Sequence, residues 1–419
     1  MKIIADFHLH SKYSRATSQQ MNLEKLNEWA KIKGIKILGT GDCTHPEWLK
    51  ELKEKLEPVE AGLFKLKKSN GVFFVLTGEI SCVFFKGGKL RKVHFILFFP
   101  SFEICERVNK YLSLYGSLNQ DGRPTLNLEA KELAKIILNN SKDSLIVPAH
   151  IMTPWFGLFG SKSGFDSIKE CFEEWSESIF AGETGLSASP DMLWRVPDGR
   201  KITLLSNSDA HSPEKIGREA NVFEGKKINY FEILEAIKNK NPQNLKLIFT
   251  IEFYPEEGKY HYDGHRNCNI RFSPKETKKY GGLCPVCKKP LTVGVLHRVE
   301  LLADQPEGFV PEGEIPFKSL VPLKEILSEV FQMSSNSDKL HKEYLKLIKE
   351  FENEFNVLLN AQVKEIEKIS GEKLAIAIEK MRTGKVIKEP GYDGVYGKIK
   401  IFGEKENQKI KKQGLLFDC

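Results

Sequence analysis

The chain has 419 residues, 41% hydrophobic and 28% charged, an ordinary globular composition long enough for two or three domains. No apolar run reaches the roughly eighteen residues of a membrane span, and the polar start MKIIADFHLHSKYS is unlike a secretory leader, so a cytoplasmic protein without a membrane partner is expected. The net charge of +7, from 63 Lys and Arg against 56 Asp and Glu, permits a polyanionic partner without demanding one.

In chain order, short apolar runs predict strands at residues 3–7, 35–40, 72–77, 93–98, 145–148, 178–181 and 202–205. Amphipathic spacing predicts helices at 23–33 and 128–139, and residues 230–254 read as a closing α/β segment. Strands alternating with helices imply an α/β domain, and polar residues at the strand ends suit a barrel whose working residues lie there. From 261 to 294 histidines, glycines and cysteines replace the apolar alternation, as in a small metal-stabilised module. Residues 322–382 read as helical, and the glycine-spaced segment 384–397 as turns or a hairpin. The expected division is a catalytic barrel over 1–255, a zinc module over 256–300, and a mainly helical region with a basic tail over 301–419.

Ionisable residues gather after the strands. They are His8 and His10 in DFHLH, Asp42 and His45 in GTGDCTH, Glu79 in LTGEIS, and His94 in RKVHF. Then come His150 in VPAH, Glu183 in AGETG, and Asp209 with His211 in NSDAH. Taken singly, each is as well read as a core histidine or a capping acid. Together they are costly unless paired or coordinated. Histidines mixed with carboxylates suit zinc, manganese or iron better than magnesium. So many ligands imply two or three divalent ions (zinc, manganese or magnesium), and a shared carboxylate would let two ions activate one water against a phosphate ester. No GKS or GKT phosphate loop is present, which argues against a motor ATPase.

Eight cysteines are too scattered for a disulfide scaffold. Cys268, Cys284 and Cys287, with His265 in HYDGHRNC, have the spacing of one tetrahedral structural zinc site, and His261 is an alternative fourth ligand. The competing reading of CPVC is a redox pair.

The succession HLH, GDxxH, a lone Glu, a His, PAH and SDAH resembles the polymerase-and-histidinol-phosphatase superfamily. That resemblance implies a distorted seven-stranded α/β barrel around a trinuclear metal centre. His8 and His10 match its opening motif, Glu79, His94 and His150 its middle ligands, and Asp209 with His211 its closing one. Asp42 and His45 are separated where the superfamily has them adjacent, and Arg15 lies where an Asp often follows the first motif. The segments ETGLSASPDMLWR, DGHRNC with CPVCKKPLTVGVLHRVELLAD, and GYDGVYGKI resemble, in order, the endonuclease Q family. The family implies cleavage of DNA on the 5′ side of deaminated bases (uracil, hypoxanthine, with xanthine a further candidate) or abasic sites.

On that reading Asp42, Asp209 and His211 are candidate catalytic groups, and Asp191 is a further acid that holds water, contacts a nucleotide or caps a turn. Trp155, Phe156 and Phe159 after His150, and Trp194 with Arg195, are candidates to stack on a base, with core packing as the plain alternative. Ser11, Lys12 and Arg15 are candidates for phosphate, and Arg266, Arg271 and Lys288 for the DNA backbone. The tail from Gln413 to Phe417 partly resembles a sliding-clamp-binding motif. Action on DNA would make the protein nucleoid-associated. The rival readings are a small-molecule phosphoesterase, a 3′–5′ proofreading exonuclease and a noncatalytic adaptor.

Overall fold

A computed structural model describes residues 1–239, 242–403 and 406. The tail motif therefore lies outside the described residues. Among these residues no helix is long and apolar enough to cross a membrane.

The fold is mixed α/β. The first strand, Lys2–Asp6, pairs in parallel with Ile37–Gly39 and antiparallel with Ala220–Gly225. Ile37–Gly39 leads in parallel to Phe73–Lys86, which turns back antiparallel into Lys89–Phe99, and that strand pairs with Leu145–Pro148. On the far side Ala220–Gly225 continues to Leu245–Glu252 and then Phe317–Ser319. Ala181–Glu183 and Thr203–Leu205 form a separate parallel pair.

The seven predicted strands are thus present, with two corrections. The run predicted to end at 77 continues to Lys86, because the two-residue loop Gly87-Gly88, at φ +60° and +71°, closes a hairpin there. The strand predicted at 178–181 begins only at Ala181, behind a 3-10 turn over Glu173–Ser178. The ring of hydrogen-bonded ladders is also not continuous. Between Thr203–Leu205 and the first strand, the described residues show a bridge of Leu9 to Ala210 and a bond from the Phe7 amide to the Asn207 side chain. All seven strands nevertheless feed one core, through Ala5, Ile37, Val75, Ile96, Val147, Ala181 and Leu205. Phe7 fills its centre, with its ring 5.3 Å from Phe98 and 6.2 Å from Phe223.

Helix Leu23–Lys33 has the predicted bounds because both ends are signalled. Asn22 accepts the Lys25 amide, and Gly34 takes the left-handed C-terminal position at φ +89°. At its end Lys33 is buried and pairs with Glu354 at 2.7 Å. Glu354 also accepts the Tyr344 hydroxyl at 2.6 Å. This joins the sheet domain to the helices Leu323–Phe331, Asp338–Phe351, Val363–Ser370 and Glu372–Arg382, which fill the predicted helical region. The short strands Ile387–Glu389 and Lys398–Lys400 form the predicted hairpin.

Candidate metal centre

The segments that follow three of the strands, carrying His8, His10, His150 and Asp209, meet Glu79 and His94 from the middle of the Phe73–Lys86 and Lys89–Phe99 hairpin, and two groups of ligand atoms come together. His8, His10, Glu79 and Asp209 form one, and Glu79, His94 and His150 the other, each group with its atoms within 4.8 Å of one another. Glu79 belongs to both. Its Oε2 lies 3.4 Å from His8 Nε2 and 3.3 Å from His10 Nε2. Its Oε1 lies 2.8 Å from His94 Nδ1 and 3.2 Å from His150 Nε2. Asp209 Oδ1 is 3.0 Å from His10 Nε2. A carboxylate with one oxygen in each group has the geometry of a bridging ligand.

The electrostatics fit cations. Burial alone would raise the Glu79 pKa, yet His94, His8 and Arg123 hold it well below the usual carboxylate range. Burial would likewise lower His8, but Glu183, Glu79 and Asp209 raise it well above an ordinary histidine. Burial pushes His94 down to about 4, which favours the neutral ligating form. His8 Nε2 is buried without a hydrogen-bond partner among the described residues, as expected of an atom shaped to ligate an ion.

Two further carboxylates orient the histidines. His8 donates Nδ1–H to Glu183 at 3.0 Å, and Glu183 is fixed in turn by the Asn207 amide and the His150 backbone N–H. His10 Nδ1 lies 3.0 Å from Asp42, whose other oxygen accepts the Ser11 amide and the hydroxyls of Ser11 and Ser14. Both Nε2 atoms are thereby left for an ion. Asp42, His150 and Asp209 sit at left-handed φ of +47°, +32° and +47°.

The other sequence candidates are placed as follows. Asp42 and Glu183 support the two ligand groups from outside. His45 stands apart, because it caps helix Pro46–Lys55 by accepting the Trp48 amide and stacks on Tyr13. His211 borders the first group, with its ring 4.5 Å from that of His10 and Nδ1 on the Asp209 carbonyl. Asp191 accepts from Ser189 at the start of a short helix and lines a separate cavity of about 580 Å3 with His261 and Glu256. Phe159 and Trp194 are buried in the core, so neither offers a face to a base. Arg195 is spent on Glu300 at 2.8 Å, and Ser11 on Asp42. Lys12 pairs with Glu51. Arg15 is exposed and reaches Asp121. Trp155 is exposed, and the Phe156 ring packs 4.3 Å from His94.

Sequence reasoning missed Arg123, whose Nη1 lies 3.1 Å from Glu79 Oε2. It sits in the turn NQDGRPT, which carries no periodic or spacing signal. Asn207, two residues before Asp209, was missed as well.

His265, Cys268, Cys284 and Cys287 form a third group of converging ligand atoms. His265 ends the strand Asp263–His265, which pairs with Ile270–Phe272. In the CPVC turn, Lys288 N donates to the Cys284 carbonyl and Cys284 N to that of Lys289. Desolvation would raise the Cys284 thiol, but the backbone N–H groups of Cys287 and Val286 together with the Cys287 and Cys268 side chains bring it down to about 7. His261 is absent from this group; its ring stacks on Tyr262. Arg271 donates to the Pro390 carbonyl, while Arg266 and Lys288 are exposed.

Two histidine–carboxylate groups sharing one acid, on one side of an α/β sheet, fit a metal-dependent centre of the polymerase-and-histidinol-phosphatase class. Residues 194–242 match the PHP-associated family model, and 322–385 match the model of the MJ0043 C-terminal domain. The chain belongs to the endonuclease Q family, a class of metal-dependent DNA endonucleases. It is 34% identical to the lesion-specific endonuclease PfuEndoQ of Pyrococcus furiosus, whose crystal structure superposes with a TM-score of 0.85 over 96% of each chain. A structure of endonuclease Q with a 27-mer duplex carrying an abasic lesion at the active site is also 34% identical. It covers 97% of this chain and 98% of that one, with a TM-score of 0.84. Among uncharacterised proteins, YqxK of Bacillus subtilis is 29% identical over 95% of this chain and 99% of its own length. MJ0043 of Methanocaldococcus jannaschii is 37% identical over 262 residues, and there the match spans only 32% of the relative.

Proposed function

We propose that this chain is a repair endonuclease that hydrolyses the phosphodiester on the 5′ side of a damaged nucleotide in DNA, with uracil, hypoxanthine, xanthine and abasic sites as lesions. The observation that carries the reading is Glu79, one buried carboxylate shared by two ligand groups. His8, His10, Glu79 and Asp209 would hold one divalent ion and Glu79, His94 and His150 a second, and His211, whose ring lies beside His10, is read as a ligand of a third. Bound there, zinc, manganese or magnesium would lower the pKa of a water and neutralise phosphate oxygens. Glu183 and Asp42 fix the ring orientations. Arg123 is partly exposed beside Glu79, placed to take a nonbridging phosphate oxygen. The seven strands around one core support the barrel reading, although their ladders are interrupted. The Cys/His group is read as a structural zinc that folds residues 256–300 between the barrel of 1–255 and the region beyond 300. The described cysteines are all free, in keeping with a reducing cytoplasm in which the enzyme meets the nucleoid.

The test is cleavage of end-labelled duplex carrying one internal deoxyuridine, deoxyinosine or abasic site, with each metal in turn. A nick immediately 5′ of the lesion, absent from undamaged DNA, is expected. Hydrolysis of small phosphate monoesters without such a nick would overturn the reading.

A further inference from the structure

An exposed aromatic and basic surface adjoins the second ligand group and is built from three distant chain segments. Trp155 lies on the loop after His150, one residue before Phe156, whose carbonyl accepts the His94 amide at 2.9 Å. Trp155 is 43% exposed and meets the Tyr260 ring edge-on at 5.5 Å. The neighbouring Lys259 places its ammonium 4.6 Å from the centre of the Tyr396 ring, which is 68% exposed. The turn that carries Tyr396 is fixed by backbone bonds from Gly391 to Glu256, from Gly394 to Lys259 and from Gly397 to Glu257. Arg266 closes the surface: its amide donates to Asp393 at 2.7 Å, and a Cβ on Gly394 would stand 3.3 Å from its guanidinium.

A single exposed aromatic needs no explanation. Here Tyr392 already docks the turn, since it is buried, packs over Gly264 and donates its hydroxyl to Asn269 at 2.8 Å. Tyr396 therefore adds little to packing, and the same holds for the open face of Trp155. Exposed rings interleaved with cations are the features that bind unpaired nucleotides, because rings stack on any base and cations take the phosphates. Extruding a damaged nucleotide leaves unpaired bases beside the scissile bond.

We infer that Trp155, Tyr260 and Tyr396, with Lys259 and Arg266, form a stacking platform for an unpaired base of the DNA next to the metal centre. The inference rests on the nucleic-acid reading and names its second contact surface, separate from the ligands. It is tested on the full chain by fluorescence anisotropy with an undamaged, labelled deoxythymidine oligonucleotide in calcium, so that cleavage plays no part. Tyr396→Ala is expected to weaken binding about tenfold and Tyr396→Phe to leave it within twofold. Lys259→Ala should lower the salt dependence by about one phosphate contact. Binding by Tyr396→Ala within twofold of the wild type would overturn the platform, as would weakening on duplex alone. The endonuclease reading fails separately, if the wild type leaves lesion duplex intact while oligonucleotide binding still depends on Tyr396.

Discussion

Asp42 receives the Nδ1–H of His10 at 3.0 Å, and its remaining oxygen is saturated by Ser11 and Ser14. It therefore acts on the metal centre through the imidazole. Asp42→Asn presents an amide to the same nitrogen and loses the charge that fixes the tautomer. Metal affinity is expected to fall about 10- to 100-fold. Titration calorimetry on the variant, with circular dichroism to check folding, measures it. Unchanged affinity would remove Asp42 from this role.

The Cys/His group ties the module to the late turn, since Asp393 is held by the Arg266 amide and the Thr292 hydroxyl. Cys284→Ser should release one zinc per chain and lower the melting temperature by about 5 °C or more. Limited proteolysis should then cut near residues 391–397 before the sheet domain. An unaltered melting curve and zinc content would contradict the structural-zinc assignment.

Lys33 and Glu354 are both buried, and Glu354 also accepts the Leu323 amide. Lys33→Met leaves a buried carboxylate without its cation and is expected to destabilise the fold by about 3–5 kcal/mol. The double variant Lys33→Met with Glu354→Leu should recover part of that loss. Urea unfolding reads both, and a single variant as stable as the wild type would refute the coupling.

Glu252 and Glu219 are fully buried near each other behind Glu183. Burial pushes Glu252 up to about 8, and burial with the neighbouring carboxylates pushes Glu219 well above its usual value. The folded chain thus binds more protons than the unfolded one above the unfolded value of 4.5. The contribution of these two acids to stability is therefore fully present below that pH and is lost as pH rises towards 8, by at most about 1.4 kcal/mol per pH unit for each group. Glu252→Gln should flatten the decline in thermal melts between pH 5 and 8, and an unchanged slope would contradict the assignment.

Much of this was legible in the sequence because it is local. Helix Leu23–Lys33 carries both end signals, and Leu145–Pro148 is an apolar run bounded by polar residues. His8, His10, Glu79, His94, His150 and Asp209 stood out as polar groups after apolar strands. Relations between distant segments were not legible. Arg195 read as a DNA contact because its partner Glu300 lies 105 residues away. Whether Glu183 ligates an ion or orients His8 depends on distances that spacing does not encode. The strand from Phe73 outran its expected end because a glycine pair, not a polar residue, reverses the chain.

The left-handed backbone at Asp42, His150 and Asp209 has a consequence for assembly. Non-glycine residues in that region each cost about 1–3 kcal/mol, and here three of them, two ligands and the acid that orients His10, serve one centre. Cations that bind only the folded chain offset that cost. The ions are then the last component of the fold, and a chain deprived of them would loosen first at the strand ends where its chemistry is placed.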